Sequence, residues 1–266
     1  MGLFNRKSKL TLGLGLGGGG AKGSVHLGAL RAFEEEGLCF DVFAGTSIGS
    51  IVGCLCARGY SSREIEALFV GGGVNDIGKL MMAQITGLGM DGLLAKLFGN
   101  MSFDELKHPF ASVAVDLASG EEAVFTDGDL AKCVAASCSI LPYFRAVEID
   151  GRAFVDGAYR NIIPCDAAKN LGADFVVGID LSNNRQSTEK GKAQLDEAYP
   201  HNGVPVCNPS ENGYLACDYM IAPDMAGFSA TSFSSVSEMF DIGYFAAKES
   251  IADIKTAIER KREQLK

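Results

Sequence analysis

Apolar residues fall along this chain in short runs separated by glycine-rich or polar stretches, and the runs switch between two periods. Residues 10–16, LTLGLGL, alternate or run apolar and end in glycines, which predicts a buried strand feeding a loop. Residues 24–37, SVHLGALRAFEEEG, carry Val25, Leu27, Leu30 and Phe33 and stop at Gly37. That spacing predicts a helix closed by a glycine C-cap. The run CFDVFAG at 39–45 then reads as a second strand, and 47–58 as a helix of small and apolar residues. Strand, glycine loop, helix, strand, tight turn, helix is the rhythm of an α/β protein with a mostly parallel central sheet. The same reading expects strands at 111–117, 121–126, 147–155, 174–180 and 217–222, and helices at 61–70, 129–137, 164–171 and 234–263.

Two stretches resist this pattern. Residues 71–99 are apolar, rich in Gly and Met and weakly periodic; they read either as helices completing the core or as a mobile cover over an apolar site. Residues 182–213 are polar and read as a long surface excursion. No linker divides the remainder, so residues 10–266 are expected to form one domain behind an N-terminal extension, 1–9.

Composition narrows the chemistry. The formal net charge of −9 argues against a nucleic-acid partner, whose phosphates demand a basic face. Cys54 and Cys56, or Cys133 and Cys138, match no common zinc spacing, so the cysteines read as structural thiols in a reducing cytosol and no metal or cofactor is expected. The basic residues Arg6, Lys7 and Lys9 precede a glycine-rich run without a cleavage site, which does not make a secretory signal. These residues and the basic end IERKREQLK offer a transient contact with an anionic membrane surface, although solvated helix faces are the plainer reading. A cytoplasmic protein is expected.

The stretch DVFAGTSIGS places Ser47 between Gly45 and Gly49, a G-x-S-x-G pattern at an expected strand-to-helix turn. There a nucleophilic serine adopts a strained backbone and projects its oxygen above the sheet; a serine that only caps the helix is the bland alternative. The loop GLGLGGGGAKG matches G-x-G-x-x-G in three registers but lacks the acidic partner of a dinucleotide site. Lys22-Gly23-Ser24 likewise breaks the P-loop pattern. What remains for such a loop is an anion cradle of backbone N–H groups, which beside a nucleophile is an oxyanion hole.

The base is harder to assign. His26 sits among Val25 and Leu27 on the first helix, His108 precedes a proline, and His201 lies in the polar excursion. Asp116, Asp156 and Asp180 each end an expected strand. Asp156 is favoured because Gly157 follows it and allows a sharp inward turn. Burial would have to raise its pKa before it could serve.

Three motifs in order, GGGGAKG (Gly17–Gly23), GTSIG (Gly45–Gly49) and DGA (Asp156–Ala158), resemble those of the patatin-like phospholipase family. The stretches AASCSILPYF and CDYMIAPDMAGFS resemble further parts of it. The resemblance implies a patatin-like, three-layer α/β/α fold and a serine lipid-acyl hydrolase. Ser47 and Asp156 would form a dyad, Gly18, Gly19 and Gly20 an oxyanion hole, and Lys22, Gly23, Gly45, Gly49 and Gly157 the supporting motif. The substrate would be a lipid or another ester. Lys22 stands where many members carry arginine, which bears on head-group contact. The alternatives are an acyltransferase pairing Ser47 with one of the histidines, and an inactive lipid-binding regulator.

Overall fold

A computed structural model describes residues 10–70, 90–141, 143–182 and 211–266. In chain order the elements are β1 (Leu12–Leu16), α1 (Ser24–Glu35), β2 (Val42–Thr46), α2 (Ile48–Arg58), α3 (Ser62–Val70), α4 (Met90–Phe98), β3 (Phe110–Asp116), β4 (Glu122–Phe125), α5 (Leu130–Ser137), β5 (Val147–Ile149), β6 (Arg152–Asp156), α6 (Cys165–Asn170), β7 (Phe175–Ile179), α7 (Asn212–Ala216), β8 (Tyr219–Ile221) and α8 (Val236–Gln264). Short 3-10 turns at Gly20–Gly23 and Gly157–Tyr159 follow β1 and β6.

The strands form one sheet with pairing order β5-β6-β3-β2-β1-β7-β8, and β4 also pairs β3. Pairs among β1, β2, β3, β7 and β8 are parallel, while β4, β5 and β6 are joined antiparallel. The sheet is therefore mostly parallel, as its continuous apolar runs require of strands buried on both faces. Phe43, Phe110, Ala114, Val177 and Ile179 turn to one face and pack with α1, α2, α4, α5 and α8. Val42, Ala44, Ala111, Val113 and Val176 turn to the other and meet α6. Helices thus cover both faces. In β1 the two faces differ: Leu14 and Leu16 fill one, whereas a Cβ on Gly15 would lie 2.6 Å from the Cys165 sulfur. The glycines of LGLGL let α6 approach the sheet closely.

Strand β3 organises the site. Alternate residues of a strand direct their backbone groups to alternate edges. At the two ends of β3, Phe43 N–H donates to Pro109 O and Leu117 N–H donates to Ala153 O. Positions 109 and 117 are an even number of residues apart, so β2 and β6 occupy the same edge. Asp116 N–H donates to Glu121 O at the opposite edge, where β4 lies. Thr46 pairs with Val113 and Asp156 with Ala114. The C-terminal ends of β2 and β6 therefore meet head to head along β3.

Three expectations change. The run 147–155 is two strands, turned at Asp150 (φ 50°) and Gly151 (φ 73°), the pair that a two-residue hairpin with both central φ positive favours. Helix α7 begins within the expected excursion 182–213, of which 183–210 lie outside the described residues. In 71–99, α4 buries Met90, Leu94 and Phe98 in the core; residues 71–89, together with 1–9, lie outside the described residues. Among the described residues no helix is long and apolar enough to cross a membrane.

Candidate active site

Ser47 stands between the last residue of β2 and the first of α2, with φ 55° and ψ −127°. A non-glycine residue in such a conformation costs about 1–3 kcal/mol and persists only where its surroundings impose it. Its N–H donates to the Ser137 hydroxyl at 2.9 Å, and its carbonyl accepts the Ser50 N–H at 2.8 Å. One residue earlier, the Thr46 hydroxyl donates to Asn161 O at 2.8 Å. The glycines make the turn sterically feasible. A Cβ on Gly45 would lie 2.2 Å from Gly49 O, and one on Gly49 would lie 2.1 Å from Leu16 O. Ser47 also sits at the N-terminal end of α2, where the helix dipole favours negative charge.

Asp156 ends β6 and is fully buried. Its Oδ1 accepts the Ala158 N–H at 2.8 Å, while Oδ2 has no partner among the described residues. Burial pushes the carboxyl from 3.8 up to about 7; the Ala158 N–H and the Ser47 hydroxyl pull more weakly the other way. Ser47 is thus close enough to act on the carboxyl, although Oδ2 completes no hydrogen bond with it. A Cβ on Gly157 would lie 2.2 Å from Val113 O and 3.1 Å from the Thr46 methyl, so only glycine lets this turn nest against the end of β2.

The other aspartates are engaged elsewhere. Asp116 is held below the usual carboxylate range by the Ser119 N–H and then by Arg152. Asp180 accepts the Ser182 N–H at 2.7 Å and the Tyr214 hydroxyl at 3.3 Å. Nor do the described histidines serve Ser47. His26 is fully buried, its Nε2 is 2.8 Å from Gly17 O, and desolvation pushes its pKa down to about 4. His108 packs edge-to-face on Phe43, near the opposite end of β2 from Ser47. His201 lies outside the described residues.

The glycine loop is pinned at several points. Gly17 N–H donates to Ile179 O, Gly18 N–H to Ile162 O and Ala21 N–H to Ala230 O. The N–H groups of Gly19 and Gly20 meet no acceptor among the described residues. The Gly18 N–H, one of the three expected donors, is directed to Ile162 O. Gly18 instead gives the serine room, since a Cβ there would lie 3.3 Å from the Ser47 Cβ. Gly23 similarly makes way for Ile48, whose Cγ1 would be 2.2 Å from a Cβ at that position. Lys22 extends to Leu181 O at 3.0 Å, with desolvation lowering its pKa and Asp180 opposing that fall. Its ammonium ties the loop to the end of β7.

Beside the loop lies a cavity of ≈ 170 Å³ whose walls include Gly20, Leu27, Ile48, Phe69 and Phe240. Its lining is mostly apolar, and Gly20 of the loop and Ile48, the residue after Ser47, both contribute to its wall. No cluster of three or more His, Cys, Asp or Glu able to hold a metal occurs among the described residues. Ser137, whose hydroxyl accepts the Ser47 N–H, has no role in the sequence reading, although its stretch AASCSILPYF does.

A family model described as patatin-like phospholipase matches residues 14–169. Patatin-like phospholipase domain-containing protein 7 of Mus musculus is 32% identical over 199 residues, 69% of this chain and 15% of that protein. Neuropathy target esterase sws of Drosophila melanogaster is 27% identical over 277 residues, 90% of this chain and 19% of that protein. The chain spans less than a fifth of the length of these two relatives. Among solved structures, VipD from Legionella pneumophila superposes with a TM-score of 0.56 at 12% identity, covering 95% of this chain and 67% of that one. Human GIVD cytosolic phospholipase A2 gives 0.55 at 11% identity, covering 96% and 60%. Both share the fold.

Proposed function

The chain belongs to the patatin-like phospholipase family, and from that premise we propose that it is a serine lipid-acyl hydrolase working through a Ser47–Asp156 dyad. The observation that carries this reading is the meeting of a strained, buried serine with a buried carboxyl whose pKa is raised to about 7. A carboxylate of ordinary pKa is a poor base for a hydroxyl at neutral pH; one near 7 is matched to the task. Asp156 takes the Ser47 proton as Oγ attacks the ester carbonyl, and the N–H groups of Gly19 and Gly20 meet the developing oxyanion. Collapse of the tetrahedral adduct releases the alcohol, protonated by Asp156, and leaves the acyl group on Ser47. Asp156 then draws a proton from the water that attacks the acyl-enzyme and returns it to Ser47 Oγ as the carboxylic acid leaves.

The apolar cavity receives the first part of the acyl chain. A dry cavity of about 150 Å³ holds a benzene ring, so this one accommodates a stretch of about six carbons, beside the carbonyl site. Names of relatives such as lysophospholipase nte1 of Neosartorya fischeri accord with a lipid ester as substrate. The acyltransferase reading is weaker, because neither described histidine is placed to take the serine proton.

Labelling with a fluorophosphonate, read by intact mass and peptide mapping, tests the proposal. Covalent mass should appear on Ser47, be absent from Ser47→Ala and be strongly slowed in Asp156→Asn. Absence of label on folded wild-type protein would point to the inactive lipid-binding alternative.

A further inference from the structure

The His26 side chain is hydrogen-bonded to the glycine loop, and nothing in the dyad chemistry uses it. The His26 ring is fully buried, with Nε2 2.8 Å from Gly17 O and Nδ1 without a partner among the described residues. Burial keeps the ring neutral at working pH, so it carries one N–H. A carbonyl oxygen only accepts, which places that proton on Nε2 and leaves Nδ1 bare. Desolvating Nδ1 without a partner is unfavourable, and an apolar ring of similar size would fill the space without it. Packing alone therefore does not account for a histidine here.

The bond fixes one particular peptide plane. The unit joining Gly17 and Gly18 has no Cβ on either side, so sterics resist its rotation least. Its carbonyl is held by His26 and its N–H by Ile162 O at 3.0 Å. The next two N–H groups along the chain, those of Gly19 and Gly20, are the pair without acceptors among the described residues, and this peptide is the fixed point from which the chain enters them.

We propose that His26 is a positioning residue: its Nε2–H locks the Gly17–Gly18 peptide and thereby aims the Gly19 and Gly20 N–H groups at the oxyanion formed on Ser47. The proposal rests on the hydrolase reading above. His26 touches no reacting atom and exchanges no proton in the cycle.

Two variants of the full chain separate this role from packing. His26→Phe keeps a ring of similar volume and removes the donor; His26→Gln keeps an N–H at comparable reach. Fluorophosphonate inactivation would be resolved into a maximal rate and a half-saturating concentration, with melting temperatures measured in parallel. Misaiming oxyanion donors should lower the maximal rate of His26→Phe by about 10- to 100-fold, with half-saturation within about twofold of wild type. His26→Gln should recover to within about fivefold of wild type. Wild-type speed in His26→Phe, or equal slowness in a folded His26→Gln, would overturn the proposal. Should the variants fail to fold, nitrogen-15 NMR of the wild-type imidazole decides: a slowly exchanging Nε2–H is expected, and a ring protonated at Nδ1 refutes it. Wild-type protein that shows the Nε2–H but takes no label would sink the hydrolase reading, and this proposal with it.

Discussion

Replacing Asp156 by Asn should slow turnover severely and at the same time stabilise the fold at alkaline pH. Asparagine keeps the shape of the side chain and the oxygen that accepts the Ala158 N–H at 2.8 Å, but it cannot ionise. In the native protein burial raises the carboxyl from 3.8 to about 7. Between those values the folded state keeps a proton that the unfolded chain has released. The unfolded state binds fewer protons there, so stability falls as pH rises through the window. Below the lower value both states are protonated and no penalty exists; above about 7 the penalty is complete. At about 1.4 kcal/mol per pH unit, the full window amounts to about 4 kcal/mol, of which about 1.5 kcal/mol is already present at pH 5.

The chain contains no tryptophan, so urea unfolding of wild type and Asp156→Asn would be followed by circular dichroism at pH 5 and pH 8.5. The variant should be the more stable at pH 8.5, and its advantage should shrink by about 2–3 kcal/mol at pH 5. Over the same range, wild-type kcat/KM should fall on the acid side with a midpoint near 7, and Asp156→Asn should lose about 10²–10⁴ in rate with the general base gone. An advantage that does not change with pH would mean that the carboxyl titrates normally. A variant less stable at pH 8.5 would mean that the ionised form is better accommodated than its burial implies. Either result would remove the physical basis for an aspartate acting as base.

Ser137→Ala leaves the buried Ser47 N–H without its 2.9 Å acceptor, which should lower stability by about 1–3 kcal/mol and reduce kcat more than it changes KM; parallel melting and steady-state assays on Ser137→Ala and Ser137→Thr would show whether the hydroxyl is what matters. Gly45→Ala drives a Cβ to within 2.2 Å of Gly49 O and should cost at least about 2 kcal/mol, measured as a fall in urea midpoint; an unchanged midpoint would contradict the close turn. Lys22→Met releases Leu181 O, so stability should drop by about 1 kcal/mol, while the ratio of KM values on zwitterionic and anionic lipid vesicles stays the same. A changed ratio would place the ammonium on the substrate instead.

Much of this architecture was legible because buried parallel strands announce themselves. The runs ending at Leu16 and Thr46, each punctuated by glycine, located β1 and β2, and Gly37 (φ 68°) lies just beyond α1 as expected. The strand-to-helix position of Ser47 followed from that local pattern. What escaped depends on partners far away in sequence. Ser137 is ninety residues from the N–H it holds, and no local pattern distinguishes it from the other serines. Which glycine N–H groups remain free is decided by Ile162 and Ile179, on elements that the loop sequence cannot report. The direction of Lys22 depends likewise on Leu181. The hairpin at Asp150-Gly151 is a different case: its turn signal was present, but the apolar residues on either side read as one continuous strand.

The antiparallel run of β6 against β3 has a chemical rationale. A histidine base works near its ordinary pKa and can be presented to a serine from a hydrated loop. An aspartate cannot, because in water its carboxylate is too weak a base near pH 7. It has to arrive dry, on an element whose backbone is already satisfied. By running against β3 on the edge that β2 vacates after Thr46, β6 delivers Asp156 into the sheet beside Ser47 while its backbone pairs with Ala114. Asp116 also ends a strand, yet Ser119 and Arg152 hold it below the usual carboxylate range and so weaken it as a base, while Asp180 is bonded to Ser182 and Tyr214. In the proposed mechanism, the unfavourable burial of Asp156 and its capacity to act as a base therefore have one origin. A substitution that hydrates this carboxyl should stabilise the protein and slow the reaction together.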